Sequence, residues 1–259
     1  MPSTAEIVRL RQQRAAKTHR NPSGWIGMGC SMLLIILVIS ILAAFAMLYI
    51  NLTADLPSVD ALPILLDPTH GQLLQPTQIF DQSGEHLLLA LENPAAGQRQ
   101  FLSLDTSQPD FLPPPLITST LAASDPTFWR HPGATMEGLG QDSHTTLAQR
   151  LVSDLLLWNE PPGIRRTLRE RLVATQVTSR FGREQILKWY LNSANYGRLA
   201  YGADAAARVY FGKQVSKLTL AEAAILAATA DAPSLNLWMH LSSPSNVGRM
   251  WFRRCWQRA

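Results

Sequence analysis

Apolar residues are concentrated in one run near the N-terminus, where residues 26–50 contain no charged side chain. At about 1.5 Å per residue, a helix of this length slightly exceeds a hydrocarbon core of about 30 Å. A cleaved secretory signal has a shorter apolar stretch of about 7 to 15 residues. A buried core helix would show a polar stripe, which this run lacks. The pattern predicts one transmembrane helix, assigned to residues 24–52.

The charges on the two sides of this run differ in sign. The preceding side carries five basic residues, which are Arg9, Arg11, Arg14, Lys17 and Arg20. The following side carries Asp55, Asp60 and Asp67 just after the run and has no Lys or Arg before Arg99. Because Lys and Arg favour the cytoplasmic side, we expect a single-pass cell-membrane protein with a cytoplasmic basic arm, residues 1–23, and an extracytoplasmic remainder.

Beyond the membrane run the pattern changes twice. Residues 53–76 carry four prolines, which predicts an extended stalk, assigned to residues 53–75. Residues 77–91 contain two short apolar stretches around a polar Gly-containing turn, which predicts a β-hairpin. The chain then becomes helical in pattern, so that the fold class is mainly α with a small β element. The globular domain is assigned to residues 76–250, with a C-terminal tail at 251–259.

Three helices are predicted from apolar positions that recur about every 3.6 residues. The first covers 164–181, stops at Gly182 and has its buried face assigned to Leu168, Leu172, Val173 and Gln176. The second covers 184–194. The third covers 218–230, with Lys217 or Thr219 as the alternative caps.

Four segments of the chain resemble known sequence motifs. The stretch GREQILKWYLNSANYGRLAYGADAAARVYFGKQVSKLTLAEAAILAATADAPS at 182–234 is similar to the second half of the family 51 peptidoglycan glycosyltransferases. Upstream, TQIFDQSGEHLLL, FLPPPLITSTLAASDPTFWRHPG and SHTTLAQRLVSDLLL resemble the family's opening hairpin and its first two motifs. The resemblance implies a lysozyme-like helical domain against the outer membrane leaflet, with a groove for lipid-linked disaccharide-peptide. The order of segments is similar to that of a monofunctional glycosyltransferase, with no transpeptidase domain following.

The chemistry of such a groove requires a base for the acceptor hydroxyl and stabilisation of a leaving pyrophosphate. The family uses a Glu of its first motif as the base and a Glu of its third motif near the phosphates. By this resemblance the third-motif acid is Glu170, whereas the position of the base is Ser124. Asp125 is the adjacent acid, and on a helix it would point about 100° away from Ser124. The three residues are the catalytic assignments.

The remaining site residues are assigned by resemblance alone. The substrate-binding set comprises His131, Thr145, Thr146, Gln149, Arg150, Arg166 and Asn192. The second motif has lost both family glycines, and a family Lys has become Ser153. The family often uses a divalent metal. No metal ligand and no other cofactor is assigned here, because His131 and His144 are explained by histidines bonded to backbone.

Three functions remain open on these residues. The first is a peptidoglycan glycosyltransferase that uses Asp125 or another carboxylate as a substitute base. The second is a non-catalytic binder or scaffold for the lipid-linked precursor or for other wall-synthesis proteins. The third is a hydrolase that uses Glu170 as a lone acid, for which no opposing carboxylate is indicated. The membrane and the precursor are the expected partners, and nucleic acid is not, because no aromatic-rich basic groove accompanies the arm.

Overall fold

The computed structural model describes residues 8–9, 22–68, 71, 77–97, 99–137 and 145–232, and only the backbone of residues 22–30. The chain forms two compact units, residues 1–54 and 55–259, each described by itself. The first unit contains helix α1, Pro22–Thr53. Its segment Ser31–Thr53 has a mean hydropathy of 3.0, and none of the window that gives this value is buried. This helix is long and apolar enough to cross a membrane, in agreement with the prediction.

The second unit is mainly helical. Its elements are α2 Ala61–Leu65, β1 Thr77–Phe80, β2 Leu87–Leu91, α3 Pro114–Ser124, α4 Leu147–Leu155, α5 Ile164–Phe181, α6 Arg183–Ser193, α7 Ala203–Phe211 and α8 Leu220–Asp231. Strands β1 and β2 pair antiparallel, with Ile79 opposite Leu89 and an irregularity before Phe80. The predicted fold class, helical with one hairpin, is confirmed.

Local sequence explains where several helices begin and end. Helix α3 starts with Pro114 in its first turn, where a missing N–H costs nothing. It ends at Ser124 because Asp125 precedes Pro126, and the residue before a proline is disfavoured in the helical conformation. Helix α8 is opened by a capping box between Thr219 and Glu222, which selects Thr219 over the alternative cap.

The core lies where the helices meet. Helix α3 packs mainly on α8, while α4 packs on α5 and α6. Leu191 of α6 and Leu226 of α8 are completely buried. The other large buried side chains include Leu62, Leu66, Leu102, Leu112, Leu116, Phe128, Leu147, Leu151, Ile186, Leu187, Tyr190 and Tyr196. This packing fixes α4 and α5 side by side, and these two helices carry the second and third motifs.

Two predictions about this unit are wrong. The segment predicted as an extended stalk contains helix α2, and Leu62 and Leu66 are buried in the core. The predicted buried face of α5 is incorrect at two of its four positions, because Leu172 and Gln176 are exposed, whereas Val173 is buried and Leu168 is half-buried. The buried face instead contains polar side chains between its apolar ones, namely Thr167, Arg169, Glu170, Arg171, Val173, Ala174, Val177 and Thr178.

Candidate active site

The second motif forms the beginning of helix α4. Thr146 is its N-cap, and its Oγ1 accepts a hydrogen bond from the backbone N–H of Gln149 at 3.1 Å. The same hydroxyl donates to the carbonyl oxygen of Gly133 at 2.7 Å. One buried threonine therefore satisfies a free N–H of the helix start and ties that start to the loop after the first motif.

Asp125 supports the same helix start from the first motif. Its carboxylate accepts hydrogen bonds from the backbone N–H of Leu147 at 3.1 Å and from Nε2 of His131 at 3.0 Å. The side chain is 1% exposed. Burial raises the pKa of Asp125, an effect only partly offset by the hydrogen bond from Leu147 and the contact with His131. The position at a helix N-terminus favours the anion, because free N–H groups carry partial positive charge there.

The hydrogen bonds of His131 identify the form of its ring. The backbone N–H of Gly133 donates to Nδ1 at 3.0 Å, so this nitrogen carries no proton. The proton is therefore on Nε2, which donates to Asp125. The contact is then a hydrogen bond that a neutral imidazole donates to the Asp125 carboxylate, rather than an ion pair. His131 thus fixes the first-motif loop from within, where sequence resemblance assigned it to substrate.

Two arginines hold the same loop to the helices. Arg171 of α5 donates from Nε to the carbonyl oxygen of Thr135 at 2.8 Å and from Nη2 to that of Glu137 at 2.8 Å. Arg183 of α6 donates to the carbonyl oxygens of Phe128 and His131. The two arginines thus provide hydrogen-bond donors for backbone carbonyls of the loop, which lack the partners that a helix or a sheet would give them.

A chain of hydrogen bonds links this loop to Glu170. Thr135 and Thr145 have their hydroxyl oxygens 2.7 Å apart, and Thr145 donates to Oε1 of Gln149 at 2.9 Å. Since the Thr145 proton is used in this way, Thr135 is the donor to Thr145. The amide nitrogen of Gln149 then donates to Oε1 of Glu170 at 3.2 Å. Gln149 is completely buried and Glu170 is 4% exposed. The carboxylate is thus oriented by an amide whose own orientation is fixed by two hydroxyls.

Ser124, which the resemblance assigned to the position of the family's base, takes no part in these hydrogen bonds. Ser124 is the last residue of α3, and its buried Oγ makes no hydrogen bond to any part of the chain that the structure describes. Asp125 does not lie beside it on a helix, as assumed from the sequence. It adopts φ −153° and ψ 74° and turns its carboxylate to α4. Ser124 therefore has no activating neighbour in the described structure, and the adjacent acid is used elsewhere.

Arg150, Arg166 and Asn192 are not brought to this network. Arg150 donates to Tyr190 Oη at 3.2 Å and to Asp231 Oδ1 at 2.7 Å, where the tyrosine and the carboxylate outweigh burial and raise its pKa. It joins α4 to α6 and to the end of α8.

Arg166 donates to the carbonyl oxygen of Glu160 and to Oγ of Ser153. Asn192 accepts from the backbone N–H of Leu102 at 2.7 Å and donates to its carbonyl oxygen at 3.0 Å. These bonds give Asn192 a structural role instead of the substrate contact assigned from the sequence, because its amide is buried and occupied.

Comparison with known proteins agrees with this architecture. The sequence model of the Transglycosylase family matches residues 95–254, more than half of the chain. The chain belongs to the transglycosylase family. It is 33% identical over 193 residues to penicillin-binding protein 1A of Rickettsia felis, covering 69% of this chain and 22% of that protein. It is 30% identical over 216 residues to penicillin-binding protein 1A of Vibrio cholerae, covering 79% of this chain and 24% of that protein.

A third relative shows the same partial coverage. Penicillin-binding protein 1A of Aquifex aeolicus is 30% identical over 217 residues, which are 76% of this chain and 28% of that protein. The chain thus spans about a quarter of the length of the curated relatives that it matches. The similarity concerns the transglycosylase domain, including the first, second and third motifs.

A divalent metal is often part of this family's site, and the donor set here does not fit a site built by the protein. Mg²⁺ is held by carboxylate and other oxygen ligands. Among the described residues no three His, Cys, Asp or Glu side chains come together. One oxygen of Glu170 receives the Gln149 amide, and Asp125 is enclosed by His131 and Leu147. We therefore derive no step through a metal in this transglycosylase domain.

Several residues that shape the site were missed from the sequence. Thr135 and Arg171 lie outside the quoted stretches, and Arg183 lies within one of them without an assigned role. Each acts through bonds to residues ten or more positions away. Arg171 lies four residues after Thr167 and three before Ala174 on the face of α5 that the structure buries, a face that apolar periodicity does not reveal. An arginine there must find buried partners, and loop carbonyls are the partners available.

Proposed function

We propose that the outer domain binds the lipid-linked disaccharide-peptide precursor of peptidoglycan and has lost the base needed to polymerise it at the rate of its family. The proposal rests on membership of the transglycosylase family and on retention of the Gln149–Glu170 pair. One observation carries the loss of the base. Asp125, the acid nearest Ser124, is 1% exposed and has its carboxylate bonded to His131 and to the start of α4.

The two halves of this proposal follow from different residues. Glu170 keeps a fixed carboxylate where the family's third motif acts on the leaving phosphates. A serine hydroxyl at position 124 cannot accept the acceptor's proton near neutral pH without an activating partner. A domain with the first feature and without the second retains recognition of the pyrophosphate end and lacks general-base assistance.

Polymerisation at a reduced rate is the second candidate, and one side chain favours it. Glu137 is exposed on the loop after the first motif, while Arg171 holds its carbonyl oxygen. An exposed carboxylate there is available to a bound acceptor. Glu137→Gln separates this candidate from the first, because it removes the acid and leaves the backbone bond to Arg171 in place.

The proposed function is tested with the full-length protein in bilayers that contain labelled lipid-linked precursor. Binding and formation of glycan polymer are measured on the same samples. We expect wild type to bind and to form little polymer. Ser124→Glu should raise polymerisation by about 10²-fold, since general bases contribute about 10² to 10⁴ in rate. Ser124→Gln is the matched control, because it has the same size without the acid, and Glu170→Gln should abolish the gain.

Two results would overturn the proposal. Wild type that polymerises rapidly and is indifferent to Glu170→Gln shows that the third motif was misassigned. Wild type that fails to bind the precursor shows that recognition has been lost together with the base. Thermal unfolding of each variant is recorded in parallel, because the Ser124 Oγ is buried and a larger side chain has to displace its neighbours.

Membrane anchoring completes the proposal. Helix α1 and the membership of the chain in this family support an anchored domain that meets its lipid-linked ligand at the bilayer surface. The basic arm at residues 1–23 and the acidic residues that follow α1 support a cytoplasmic N-terminus and an extracytoplasmic domain. Association with other wall-synthesis proteins remains part of the same proposal.

A further inference from the structure

The β-hairpin has an apolar face that the described part of the chain leaves uncovered. Paired residues of neighbouring strands lie on the same face, and Ile79 pairs with Leu89 while Thr77 pairs with Leu91, so Ile79, Leu89 and Leu91 share one face. Their exposed fractions are 44%, 50% and 43%. We call these three residues the hairpin face. An isolated two-stranded hairpin is marginally stable in water, so a native cover for this face is expected.

The surroundings of the hairpin face are acidic. Residues 77–92 contain Asp81, Glu85 and Glu92 and no Lys or Arg. The hydroxyl of Ser83 and the backbone N–H of His86 help to lower the pKa of Asp81, so that it is an anion at neutral pH. A suitable cover therefore combines large apolar side chains with positive charge.

One segment of this chain has that composition. Residues 249–258, RMWFRRCWQR, contain four arginines and no acid, together with Met250, Trp251, Phe252 and Trp256. No Asp or Glu occurs after Asp231. The segment lies outside the described residues, the last of which is residue 232. We name residues 249–258 the basic aromatic segment.

The intervening chain is long enough to reach the hairpin. From residue 232 to residue 249 an extended chain spans up to about 58 Å, at about 3.4 Å per residue. A compact domain of about 200 residues has a radius of gyration of about 16 Å, so this reach exceeds its width. Chain length therefore places no restriction on the contact.

We propose that the basic aromatic segment docks on the hairpin face of the same chain. Its aromatic side chains cover the aliphatic residues of the face, and its arginines lie beside Asp81, Glu85 and Glu92. A second copy of the hairpin is a poorer cover because two acidic surfaces repel each other. A bilayer is also a poorer cover, because it offers no partners for the free backbone groups at the strand edges, and anionic lipids repel the acidic turn. The inference does not depend on the proposed function.

The experiment uses Cys255, which lies within the basic aromatic segment. In a Cys30→Ser background, Leu89→Cys places a second thiol in the hairpin face, and the full-length protein in bilayers is treated with a short bismaleimide. Leu88→Cys is the matched control. It is the adjacent residue, pairs with no residue of β1, lies outside the hairpin face and is more exposed, at 65%. We expect an intramolecular cross-link at position 89 that forms about tenfold faster than at position 88, because docking raises the effective concentration of Cys255.

Charge provides a second, independent readout. In the Leu89→Cys background, the double substitution Glu85→Lys and Glu92→Lys should slow cross-linking. The expected effect is about two- to fivefold for each exposed ion pair with an arginine that is lost. Adding salt should slow the reaction of the parent variant in the same direction, since exposed charges are screened.

Three results would overturn the proposal. Equal cross-linking at positions 88 and 89 shows that the segment has no preference for the hairpin face. A cross-linked dimer as the main product shows that a second copy provides the cover. Quenching of a fluorophore at position 89 by quencher-labelled lipid shows that the bilayer provides it. Leu89 is half-exposed, so the cysteine variant is expected to fold, and its melting curve is compared with that of wild type.

Discussion

Replacing Gly133 by alanine should destabilise the outer domain more than the same change at any open glycine of the helical unit. Gly133 has φ +111°, a conformation that L-residues rarely adopt, and such strain costs about 1 to 3 kcal/mol. An added Cβ would also lie 2.1 Å from Thr178 Oγ1 and 2.7 Å from the carbonyl oxygen of Ala174. The backbone of α5 cannot yield as a side chain can, and overpacking adds about 1 to 3 kcal/mol.

Gly182→Ala is the control for the backbone contribution alone. Gly182 ends the same helix, has φ +80°, and an added Cβ there meets no atom within 4 Å. Its substitution should cost about 1 to 2 kcal/mol. For Gly133→Ala, backbone strain and overpacking together should cost at least about 2 kcal/mol. For a domain of this size, about 2 to 4 °C of Tm is lost per kcal/mol.

Thermal unfolding of the detergent-solubilised chain, followed by tryptophan fluorescence, measures both variants. Trp189 is buried and reports loss of the core. We expect Gly133→Ala to melt at least about 4 to 8 °C below wild type and clearly below Gly182→Ala. Equal melting temperatures for the two variants would refute the reasoning, since they would show that the contact between the first-motif loop and α5 can open without cost.

Three further outcomes are expected. Burial raises the folded-state pKa of Asp125, so the folded state binds this proton more tightly than the unfolded state does. Wild type should therefore lose stability relative to Asp125→Asn as pH rises from about 4 through the raised pKa. Urea unfolding at a series of pH values measures this difference. A flat difference between pH 4 and 7 would contradict the buried setting of Asp125. Asn192→Ala should cost about 2 to 4 kcal/mol in the same assay, because the Leu102 backbone groups lose their partner, whereas a surface-like loss under about 0.5 kcal/mol would exclude that role. A reporter fused after Ala259 should be active only outside the cytoplasm, and cytoplasmic activity would reverse the proposed topology.

Helix boundaries were predictable because local chemistry sets them. Gly182 separates α5 from α6 at the predicted residue, and Thr219 with Glu222 provides a capping box that can be found by spacing alone. The hairpin was predictable for the same reason, since its turn residues lie between two apolar stretches. These signals involve residues within four positions of one another.

The buried face of α5 was not predictable from apolar periodicity. Glu170 and Arg171 are buried because Gln149 and the loop carbonyls satisfy them, and these partners lie more than 20 residues away in sequence. A prediction from apolar residues alone assigns such side chains to the solvent-facing side and therefore places the wrong face of α5 in the core. The role of Asp125 was missed for a similar reason, because the N–H that it accepts from belongs to Leu147, 22 residues later.

The adjacent residues Ser124 and Asp125 have different roles, and this difference decides how the site should be interpreted. Asp125 builds the loop and the start of α4, whereas Ser124 contributes no hydrogen bond within the described structure. The framework of the first motif therefore does not depend on the identity of the residue at the base position. The proposed loss of the base is compatible with an intact fold and an intact Glu170, which is why family membership alone does not establish polymerisation. Under the same proposal Ser124→Glu restores the chemistry, because the surrounding framework that positions a new carboxylate is still present.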